Sequence, residues 1–386
     1  MKKVVLVVLG TRPEAIKLAP VITALKASAW KGLRTRVCST GQHREMLLPV
    51  LELFGIHPDH DLDVMRENQN STMTLSRTLE GLEAILQGEA PDHIVVQGDT
   101  NATLAGAMAG FHRRIPVSHV EAGLRTGNLA APFPEEANRQ MISRISHLHF
   151  APTSDNRQAL LREGISAERI HVTGNPVIDS LKQLQNRWER NPVEQYELEE
   201  ELQRHLGQAD SRPFILVTGH RRENIGEGFR NLGHALNDIA TRYPELVLLF
   251  PLHLNPAVRA SLGETLKKRK NIRLCPPLSY TSFVYAMSRA QIVLTDSGGV
   301  QEEAPAFGKP VLVLRESTER REAVEAGTVR LVGNRPARIL SEVTRLLEQP
   351  SHYQTMAQAT NPYGDGQAAP RIAHLIRASL SPAFIS

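Results

Sequence analysis

Short continuous apolar runs alternate along this chain with longer segments whose apolar residues recur every three or four positions. Val4–Leu9 is a run of the first kind, typical of a strand buried on both faces of a parallel sheet. Pro13–Lys26 is a segment of the second kind, in which Ile16, Ala19 and Ile22 recur at helical spacing. The pattern therefore predicts a first β-strand followed by an amphipathic helix.

The same alternation continues to about residue 180. The predicted strands are Thr35–Ser39, His93–Gln97, Pro116–Val120, Leu148–Ala151 and Ile170–Thr173. The predicted helices are Arg44–Phe54, Met73–Leu86, Asn101–Phe111, Glu135–Ile145 and Asp155–Glu163. Alternating elements of these lengths are typical of a parallel sheet covered by helices on both faces.

A polar, charged stretch at Lys182–Arg212 interrupts the alternation, and we interpret it as a domain connection with one or two surface helices. A second set of strands follows, and Gln367–Leu380 is predicted as a final helix. The strands of this set are predicted at Phe214–Thr218, Leu246–Phe250, Ile272–Leu274, Ile292–Thr295, Val311–Leu314 and Val329–Leu331. The fold class predicted is α/β, with two doubly wound Rossmann-like domains. Ligands of such sheets bind at the carboxyl ends of the strands, so the two domains are expected to face a cleft.

Composition narrows the possible functions. The 386 residues are 41% hydrophobic and 22% charged, as expected for a globular protein of two or three domains. The formal charge is only +4, without a run of five or six like charges, so nothing favours nucleic acid as a partner. No stretch approaches the roughly 20 apolar residues of a membrane helix, which argues against a membrane partner.

The amino terminus and the cysteines indicate the compartment. The opening apolar run is short and lacks a cleavage pattern, so it is interpreted as a strand and not as a signal peptide. Cys38 and Cys275 lie far apart, each in or beside a predicted strand, and are expected to be reduced and buried. These features predict a cytoplasmic protein.

A glycine-rich turn, Asp296–Gly299, lies between the predicted strand Ile292–Thr295 and a short helix. Two glycines at such a turn let a ligand approach the backbone N–H groups, which is typical of a diphosphate site. Glu302 and Glu303 follow one turn later, where they could accept hydrogen bonds from sugar hydroxyls. The alternative is an ordinary strand–helix turn capped by Ser297.

Basic residues and a carboxylate follow the early strands. After the first strand come Arg12, which offers a planar fork to a phosphate, and Lys17, which offers a point charge. The alternative for both is a surface salt bridge to Glu14. Asp99 follows a later strand, where it could instead be the N-cap of the next helix.

More titratable residues stand at predicted strand or helix ends. Glu121 ends a strand, Glu135 begins a helix with Arg139 one turn below, and His220 with Arg221 follows the first strand of the second half. Three carboxylates and a histidine at such positions indicate general acid–base chemistry.

Two patterns that resemble metal sites are interpreted as structural. The Asp59–Asp61 pair lies in a polar loop and is better explained as a solvated turn. His147 and His149 lack a third ligand nearby. No metal is therefore predicted.

Ten motifs together resemble the non-hydrolysing UDP-N-acetylglucosamine 2-epimerase family. They occur in order along the chain, and the resemblance as a whole runs from residue 10 to about 333. The motifs occupy residues 10–20, 40–43, 97–100, 119–126, 134–139, 173–176, 218–224, 253–256, 296–305 and 318–320.

The resemblance implies a fold and a reaction. The fold is the glycosyltransferase-B type, with residues 1–180 and the C-terminal helix 367–386 forming the first domain, and 181–366 forming the UDP-binding domain. The reaction is cofactor-independent inversion at C2 of UDP-GlcNAc to UDP-ManNAc, in which UDP is eliminated, a 2-acetamidoglucal forms and UDP is added back. The enzyme would be an isomerase, a homodimer, and part of surface polysaccharide biosynthesis.

The resemblance also assigns residues. The catalytic set would be Asp99, Glu121, Glu135 and His220. The substrate-binding set would be Arg12, Lys17, Arg139, Phe283, Ser297, Gly298, Gly299, Glu303 and Arg320. A possible allosteric set for a second UDP-GlcNAc would be Gln42, His43, Glu136, Arg221 and His253. Arg321 replaces a usual proline, and Glu45 and Gln69 depart from the residues expected near the allosteric set.

Three other functions remain open at this point. A member of the same family could epimerise a modified UDP-HexNAc of the diacetamido uronic acid type. A glycosyltransferase of the same fold could use the same diphosphate site. A hydrolysing epimerase would release free ManNAc and UDP.

Overall fold

The structure is a computed structural model that describes residues 2–27, 32–42, 44–66, 69–207, 212–221, 224–252 and 256–381. It divides into two compact units. Unit 1 comprises Met1–Gln183 and Tyr363–Ser386, and unit 2 comprises Leu184–Pro362. Each unit is built around one parallel sheet, so the predicted class of two doubly wound Rossmann-like domains is confirmed.

The sheet of unit 1 has seven strands over the described residues, in the order β3-β2-β1-β4-β5-β6-β7. Their bounds are β1 Lys3–Leu9, β2 Leu33–Ser39, β3 His60–Asp61, β4 His93–Gln97, β5 Val117–Val120, β6 Leu148–Ala151 and β7 Ile170–Val172. The two-residue β3 was not predicted, because an apolar pattern cannot show in so short a strand. The strand order reverses between β1 and β4, which makes this the switch point of unit 1.

The sheet of unit 2 has six strands in its described part, in the order β10-β9-β8-β11-β12-β13. Their bounds are β8 Phe214–Thr218, β9 Val247–Pro251, β10 Ile272–Cys275, β11 Ile292–Thr295, β12 Val311–Val313 and β13 Val329–Leu331. Here the order reverses between β8 and β11.

Helices separate the strands in both units. Unit 1 contains α1 Arg12–Lys26, α2 Arg44–Leu53, α3 Ser71–Glu89, α4 Asn101–His112, α5 Glu135–Ile145 and α6 Ser154–Arg162, and α7 Pro176–Arg190 crosses the unit boundary. Unit 2 continues with α8 Pro192–Leu206, α9 Glu227–Arg242, α10 Pro256–Gly263, α11 Tyr280–Arg289, α12 Gly298–Glu303, α13 Arg321–Glu325, α14 Pro336–Glu348 and α15 Pro350–Ala357. Short 3₁₀ helices span Ala167–Arg169 and Ala304–Phe307. None of the helices within these described ranges is long and apolar enough to cross a membrane.

The stretch predicted as a domain connection with one or two surface helices is helical over most of its described residues. It forms the end of α7 and all of α8, and Leu198, Leu202 and Leu206 give α8 a buried face at helical spacing. The Tyr285 hydroxyl of α11 donates to Glu199 at 2.8 Å. This segment is therefore part of the packed structure of unit 2, and not only a surface connection.

The last helix, α16 (Ala368–Ser379), belongs to unit 1. The buried carboxylate of Asp179 in α7 accepts hydrogen bonds from the first two backbone N–H groups of α16, at 3.2 Å from Ala368 and 2.9 Å from Ala369. Ile372 and Ile376 are completely buried. The carboxyl-terminal segment thus completes the core of the unit in which the chain begins.

Both cysteines are free and buried, as predicted: Cys38 lies in β2 and Cys275 in β10.

Candidate functional site

Asp99 follows β4 and lies against α5. Arg139 donates from Nε to Asp99 Oδ2 at 2.8 Å, and its Nη2 is 2.8 Å from the same oxygen. Burial raises the pKa of the Asp99 carboxyl, the charge of Arg139 acts to lower it, and the charge of Glu121 acts to raise it further. Thr100, not Asp99, is the N-cap of α4, so the alternative capping role for Asp99 is wrong.

Arg139 bridges Asp99 to a second carboxylate, Glu136, which is completely buried. Arg139 Nη1 donates to Glu136 Oε2 at 3.1 Å. Glu136 also accepts from the backbone N–H groups of Thr126 at 3.0 Å and Gly127 at 3.2 Å. Burial acts to raise the pKa of Glu136, but these hydrogen bonds hold that pKa below its usual range. Arg139, predicted to hold substrate, is thus already engaged by two carboxylates of unit 1.

Glu121 follows β5 in a strained backbone conformation. Its φ is 64°, in the left-handed region, which costs about 1–3 kcal/mol for a residue other than glycine. Lys17 Nζ lies 2.5 Å from Glu121 Oε1, and Asn175 Nδ2 donates to the same oxygen at 3.1 Å. Gln97 Nε2 donates to Oε2. These three contacts hold the carboxylate in one orientation.

The basic residues after β1 do not pair with Glu14. Lys17 pairs with Glu121, whereas Arg12 begins α1 and is exposed. Glu14 is buried, and its carboxyl group accepts from the backbone N–H of Gly10 at 2.6 Å. The alternative of surface salt bridges to Glu14 is therefore wrong.

His119 supports the turn that carries Asp99. Its Nε2 lies 2.7 Å from the backbone oxygen of Gly98, and burial lowers its pKa to about 4. The ring is thus neutral at physiological pH, and Nε2 carries the proton because it faces a carbonyl oxygen. Gly98 has a φ of 79°, so the turn uses a conformation that glycine adopts readily.

Glu135 is the first residue of α5, as predicted, and is partly buried. Among the residues of the proposed allosteric set, Gln42 is partly buried, and His43 and His253 lie outside the described residues.

A buried aspartate connects the two strands at the switch point of unit 2. Asp296, directly after β11, accepts from the backbone N–H groups of His220 at 3.1 Å and Arg221 at 3.0 Å, which follow β8. It also accepts from Asn224 Nδ2 at 2.9 Å. The His220 ring is exposed, with Nδ1 3.6 Å from Asp296 Oδ1. The histidine and the glycine-rich turn are therefore held at one edge of the sheet.

The turn after β11 is not capped by the serine side chain. The hydroxyl of Ser297 forms no capping hydrogen bond, so the alternative of a Ser297-capped turn is wrong. The Ser297 N–H instead donates to Thr295 Oγ1 at 2.9 Å. A Cβ added to Gly298 would lie 2.8 Å from Arg320 Cζ, and one added to Gly299 would lie 3.2 Å from Glu303 Oε1. Because neither glycine has a side chain, Arg320 and Glu303 have room for their own side chains beside this turn.

Arg320 lies between two carboxylates. Its Nε donates to Glu302 Oε1 at 2.8 Å, and its Nη1 pairs with Glu319. Glu319 also lies 3.0 Å from Arg315 Nη1. Burial acts to raise the pKa of Glu319. The positive charge of Arg320, and after it that of Arg315, outweighs this effect and lowers the pKa to about 2. Glu302 is buried in this network, whereas Glu303 is only partly buried.

Phe283, predicted to lie near a uracil, is a partly buried residue of α11.

Several residues that shape the site were not singled out from the sequence. Gln97 and Asn175 orient Glu121, and Asp296 and Glu319 organise the turns of unit 2. All four residues lie within the recognised motifs, and the motifs are the signal that could have found them. The motifs do not show which groups each residue contacts.

The described residues contain no group of three or more His, Cys, Asp or Glu side chains that could hold a metal ion. Asp59 accepts from the backbone N–H of Val37 at 2.8 Å and pairs with Arg36. It therefore supports the end of the sheet.

The fold and these sites define the class of protein. Two doubly wound units, one with acid–base residues and the other with a glycine-rich turn at its switch point, are typical of an α/β enzyme that binds its ligand at the carboxyl ends of the strands.

Comparison with known proteins gives the family. A sequence profile described as UDP-N-acetylglucosamine 2-epimerase matches residues 24–377. The UDP-N-acetylglucosamine 2-epimerase of Escherichia coli O157:H7 is 51% identical over 375 residues, 97% of this chain and 98% of that protein. The chain therefore belongs to the UDP-N-acetylglucosamine 2-epimerase family, as the motifs predicted, and the predicted enzyme class, isomerase, is confirmed.

Solved structures of relatives match nearly the whole chain. The crystal structure of UDP-GlcNAc 2-epimerase from Neisseria meningitidis bound to UDP-GlcNAc is 45% identical, with a TM-score of 0.89, and the match covers 98% of this chain and 100% of that one. The Methanocaldococcus jannaschii enzyme in complex with UDP-GlcNAc and UDP is 32% identical, with a TM-score of 0.81 and coverage of 98% and 100%.

Proposed function

We propose that this protein interconverts UDP-GlcNAc and UDP-ManNAc by inverting C2 of the sugar, without a redox cofactor and without net hydrolysis. The observation that carries the proposal is the similarity, over nearly the full chain, to a relative crystallised with UDP-GlcNAc. The acid–base residues at the switch point of unit 1 support it independently.

The chemistry requires elimination, because the C2 proton is not adjacent to a carbonyl group and cannot simply be abstracted. A base removes this proton, the C2–H electron pair forms the C1=C2 double bond, and the C1–O bond to the diphosphate breaks. UDP leaves with the electron pair of the broken C1–O bond, and a 2-acetamidoglucal remains. In the second half, an acid returns a proton to the opposite face of C2 and a diphosphate oxygen of UDP re-forms the bond to C1. This sequence needs a base, an acid and stabilisation of the departing diphosphate.

The carboxylates of unit 1 would transfer the protons. We assign removal of the C2 proton to Asp99 or Glu121, and include Glu135 in the set that returns it. The raised pKa of Asp99 brings that group closer to neutral pH, where general acid–base catalysis is most effective. The fixed orientation of Glu121 limits the reorganisation that its reaction requires.

The switch point of unit 2 would bind UDP. The backbone N–H groups of Ser297, Gly298 and Gly299 and the exposed ring of His220 would face the diphosphate. Glu303 would accept hydrogen bonds from the ribose, and Phe283 would lie near the uracil. Arg12, Lys17 and Arg320 would supply positive charge, and Arg139 would act chiefly on Asp99.

The test is proton NMR of the protein with UDP-GlcNAc in heavy water, without added cofactor. We expect UDP-ManNAc to appear with deuterium at C2 in both sugars. Free ManNAc with UDP would instead identify a hydrolysing enzyme. No exchange at C2 and no product would contradict the proposal and favour a modified UDP-HexNAc or a glycosyltransferase reaction.

Variants then assign the roles. We expect Asp99→Asn and Glu121→Gln each to lower kcat by about 10²–10⁴-fold. Asp92→Asn is the matched control, because Asp92 lies at the opposite end of β4, where it accepts from Lys3 Nζ at 2.7 Å. Equal losses in Asp92→Asn and Asp99→Asn would contradict a specific role for Asp99.

A further inference from the structure

Glu14 joins the two turns that meet at the switch point of unit 1. Its Oε2 accepts from the backbone N–H groups of Gly10 at 2.6 Å and Thr11 at 2.7 Å, in the turn after β1. Its Oε1 contacts the hydroxyl groups of Thr100 and Thr103, which begin α4 after the turn that carries Asp99. One side chain therefore holds together two segments separated by more than eighty residues.

The hydrogens available to these groups determine which atom donates. The Thr103 hydroxyl has a single hydrogen and three oxygen atoms in reach: the backbone oxygen of Gln97 at 2.6 Å, Glu14 Oε1 at 2.9 Å and the Thr100 hydroxyl at 3.1 Å. The shortest of these contacts, to Gln97, takes the hydrogen. The contact between Thr103 and Glu14 then needs its hydrogen from Glu14, which only the protonated acid can supply.

The surroundings of Glu14 also favour the neutral acid. Its side chain is 2% exposed, and no lysine, arginine or histidine of the described residues forms an ion pair with it. On its own helix, Lys17 is paired with Glu121 and Arg12 is exposed. Burial raises the pKa of Glu14 by more than its hydrogen bonds lower it. A buried carboxylate without a cation is costly, and protonation removes that cost.

We propose that Glu14 is a positioning residue, held as a neutral carboxylic acid, that fixes the turn before α1, the helix that carries Arg12 and Lys17, relative to the turn bearing Asp99. As a neutral acid it donates to the helix-α4 turn and accepts from the β1 turn, so all four contacts are satisfied. It also adds no negative charge beside Asp99 and Glu121. This inference rests on the proposed function for its kinetic consequence, but not for the protonation state.

The kinetic test compares Glu14→Gln with Glu14→Leu. A glutamine amide donates through its nitrogen and accepts through its oxygen, as the neutral acid does, so we expect kcat within about threefold of the unaltered protein. Leucine has a similar volume but leaves both backbone N–H groups unpaired. Because a small misplacement of catalytic groups is costly, we expect kcat to fall roughly 100-fold with little change in KM. A folded Glu14→Leu protein with unaltered kcat would overturn the positioning role.

The protonation state is tested by infrared spectroscopy of the unaltered protein, which needs no activity. A protonated carboxyl group has a C=O stretching band separate from that of a carboxylate. We expect such a band between about pH 6 and pH 8, where ordinary carboxyl groups are ionised, and we expect Glu14→Gln to lack it. Identical spectra for the two proteins would overturn the neutral acid, even if Glu14→Leu does not fold.

The kinetic and infrared experiments distinguish failure of this inference from failure of the proposed function. If the unaltered protein does not act on UDP-GlcNAc, the proposed function is wrong, and the infrared band alone decides whether Glu14 is a neutral acid. If the protein is active but the band is missing, the proposed function stands and the inference about Glu14 fails.

Discussion

Asp99 and Glu136 share one guanidinium group, that of Arg139, and this arrangement sets the charge of the candidate site. Two hydrogen-bonding nitrogens of Arg139 face Asp99 and a third faces Glu136. The planar fork of arginine suits such a bridge, and lysine would not reproduce it. The bridge opposes the effect of burial, which raises the pKa of Asp99.

The first prediction concerns pH. In Arg139→Gln, the charge that lowers the pKa of Asp99 is removed while burial still raises it. The pKa of Asp99 should therefore rise further, and the acidic limb of the pH profile of kcat should move to higher pH if the ionised carboxylate is the base. Arg125→Gln is the matched control, because Arg125 pairs with Glu163 at 2.7 Å instead. An unmoved limb in Arg139→Gln would contradict this role.

The second prediction concerns His119, which donates to the Gly98 carbonyl next to Asp99. We expect His119→Leu to lower kcat by about 10-fold or more, because the buried carbonyl loses its donor and the turn shifts. His119→Gln, which can present a donor at a similar position, should recover most of that loss.

His149→Leu is the control for this prediction. His149 is paired with His119 in register on β6 and is completely buried, but neither ring nitrogen has a hydrogen-bond partner within the described structure. Steady-state kinetics of the three variants should show activity lost in His119→Leu alone. Equal losses in the two leucine variants would mean that His119 acts only through packing.

At the level of elements, the short helix α12 and the loop that carries Arg320 form one structure. Gly298 begins α12 directly against the Arg320 guanidinium, which Glu302 and Glu319 hold in place. The position of the glycine-rich turn therefore depends on a segment about 20 residues later in the chain.

The third prediction tests that dependence. A methyl group in Gly298→Ala would lie 2.8 Å from Arg320 Cζ, so the arginine or the turn must move. We expect UDP affinity, measured by calorimetry, to fall about 10-fold. Gly263→Ala is the control, because within the described part of the chain no atom beyond its neighbours and its own helix backbone lies within 4 Å of the added Cβ. Unchanged affinity in Gly298→Ala would show that the turn does not contribute to UDP binding.

The fourth prediction concerns the stability of this loop. The folded-state pKa of Glu319 is depressed to about 2, so its ionised form stabilises the fold at neutral pH. Glu319→Gln should lower the free energy of unfolding by about 3 kcal/mol near pH 7. The difference should shrink as the pH falls from about 4.5, the ordinary value, through about 2. Denaturant unfolding at several pH values measures it, and a difference independent of pH would contradict the ion-pair origin.

For the whole molecule, the first strand and the last described helix belong to one unit. The helix α16 belongs to the same unit as β1, and Asp179 binds the N–H groups at its start. Residues 184–362, which form unit 2, are thus inserted between two parts of unit 1.

The fifth prediction follows from this topology. Ile372→Ala should lower the free energy of unfolding by about 3 kcal/mol, because it leaves a cavity in place of most of a completely buried side chain. His374→Ala, at an exposed position of the same helix, should change it by less than about 0.5 kcal/mol. UDP affinity should be unchanged in both if unit 2 binds the nucleotide. Equal stability of the two variants would contradict the structural role of α16.

The sequence alone predicted the fold class and the edge of each sheet where the candidate site residues lie. Alternating strands and helices predict parallel strands, and the carboxyl ends of parallel strands meet at one edge. Asp99, Glu121 and His220 could therefore be assigned to that edge from their positions directly after strands. The motifs added the family, which the comparisons confirmed.

Only the tertiary structure decided which side chains meet. Arg139 reaches Asp99 across 40 positions of the chain, Lys17 reaches Glu121 across 104, and Arg320 reaches Glu302 across 18. Periodicity relates residues two to four positions apart, whereas these contacts depend on strand order and on which helix packs beside which turn. For the same reason a surface ion pair with Glu14 stays an open alternative for Arg12 and Lys17 in the sequence, whereas the fold buries Glu14 between two turns and gives it four hydrogen-bonding neighbours.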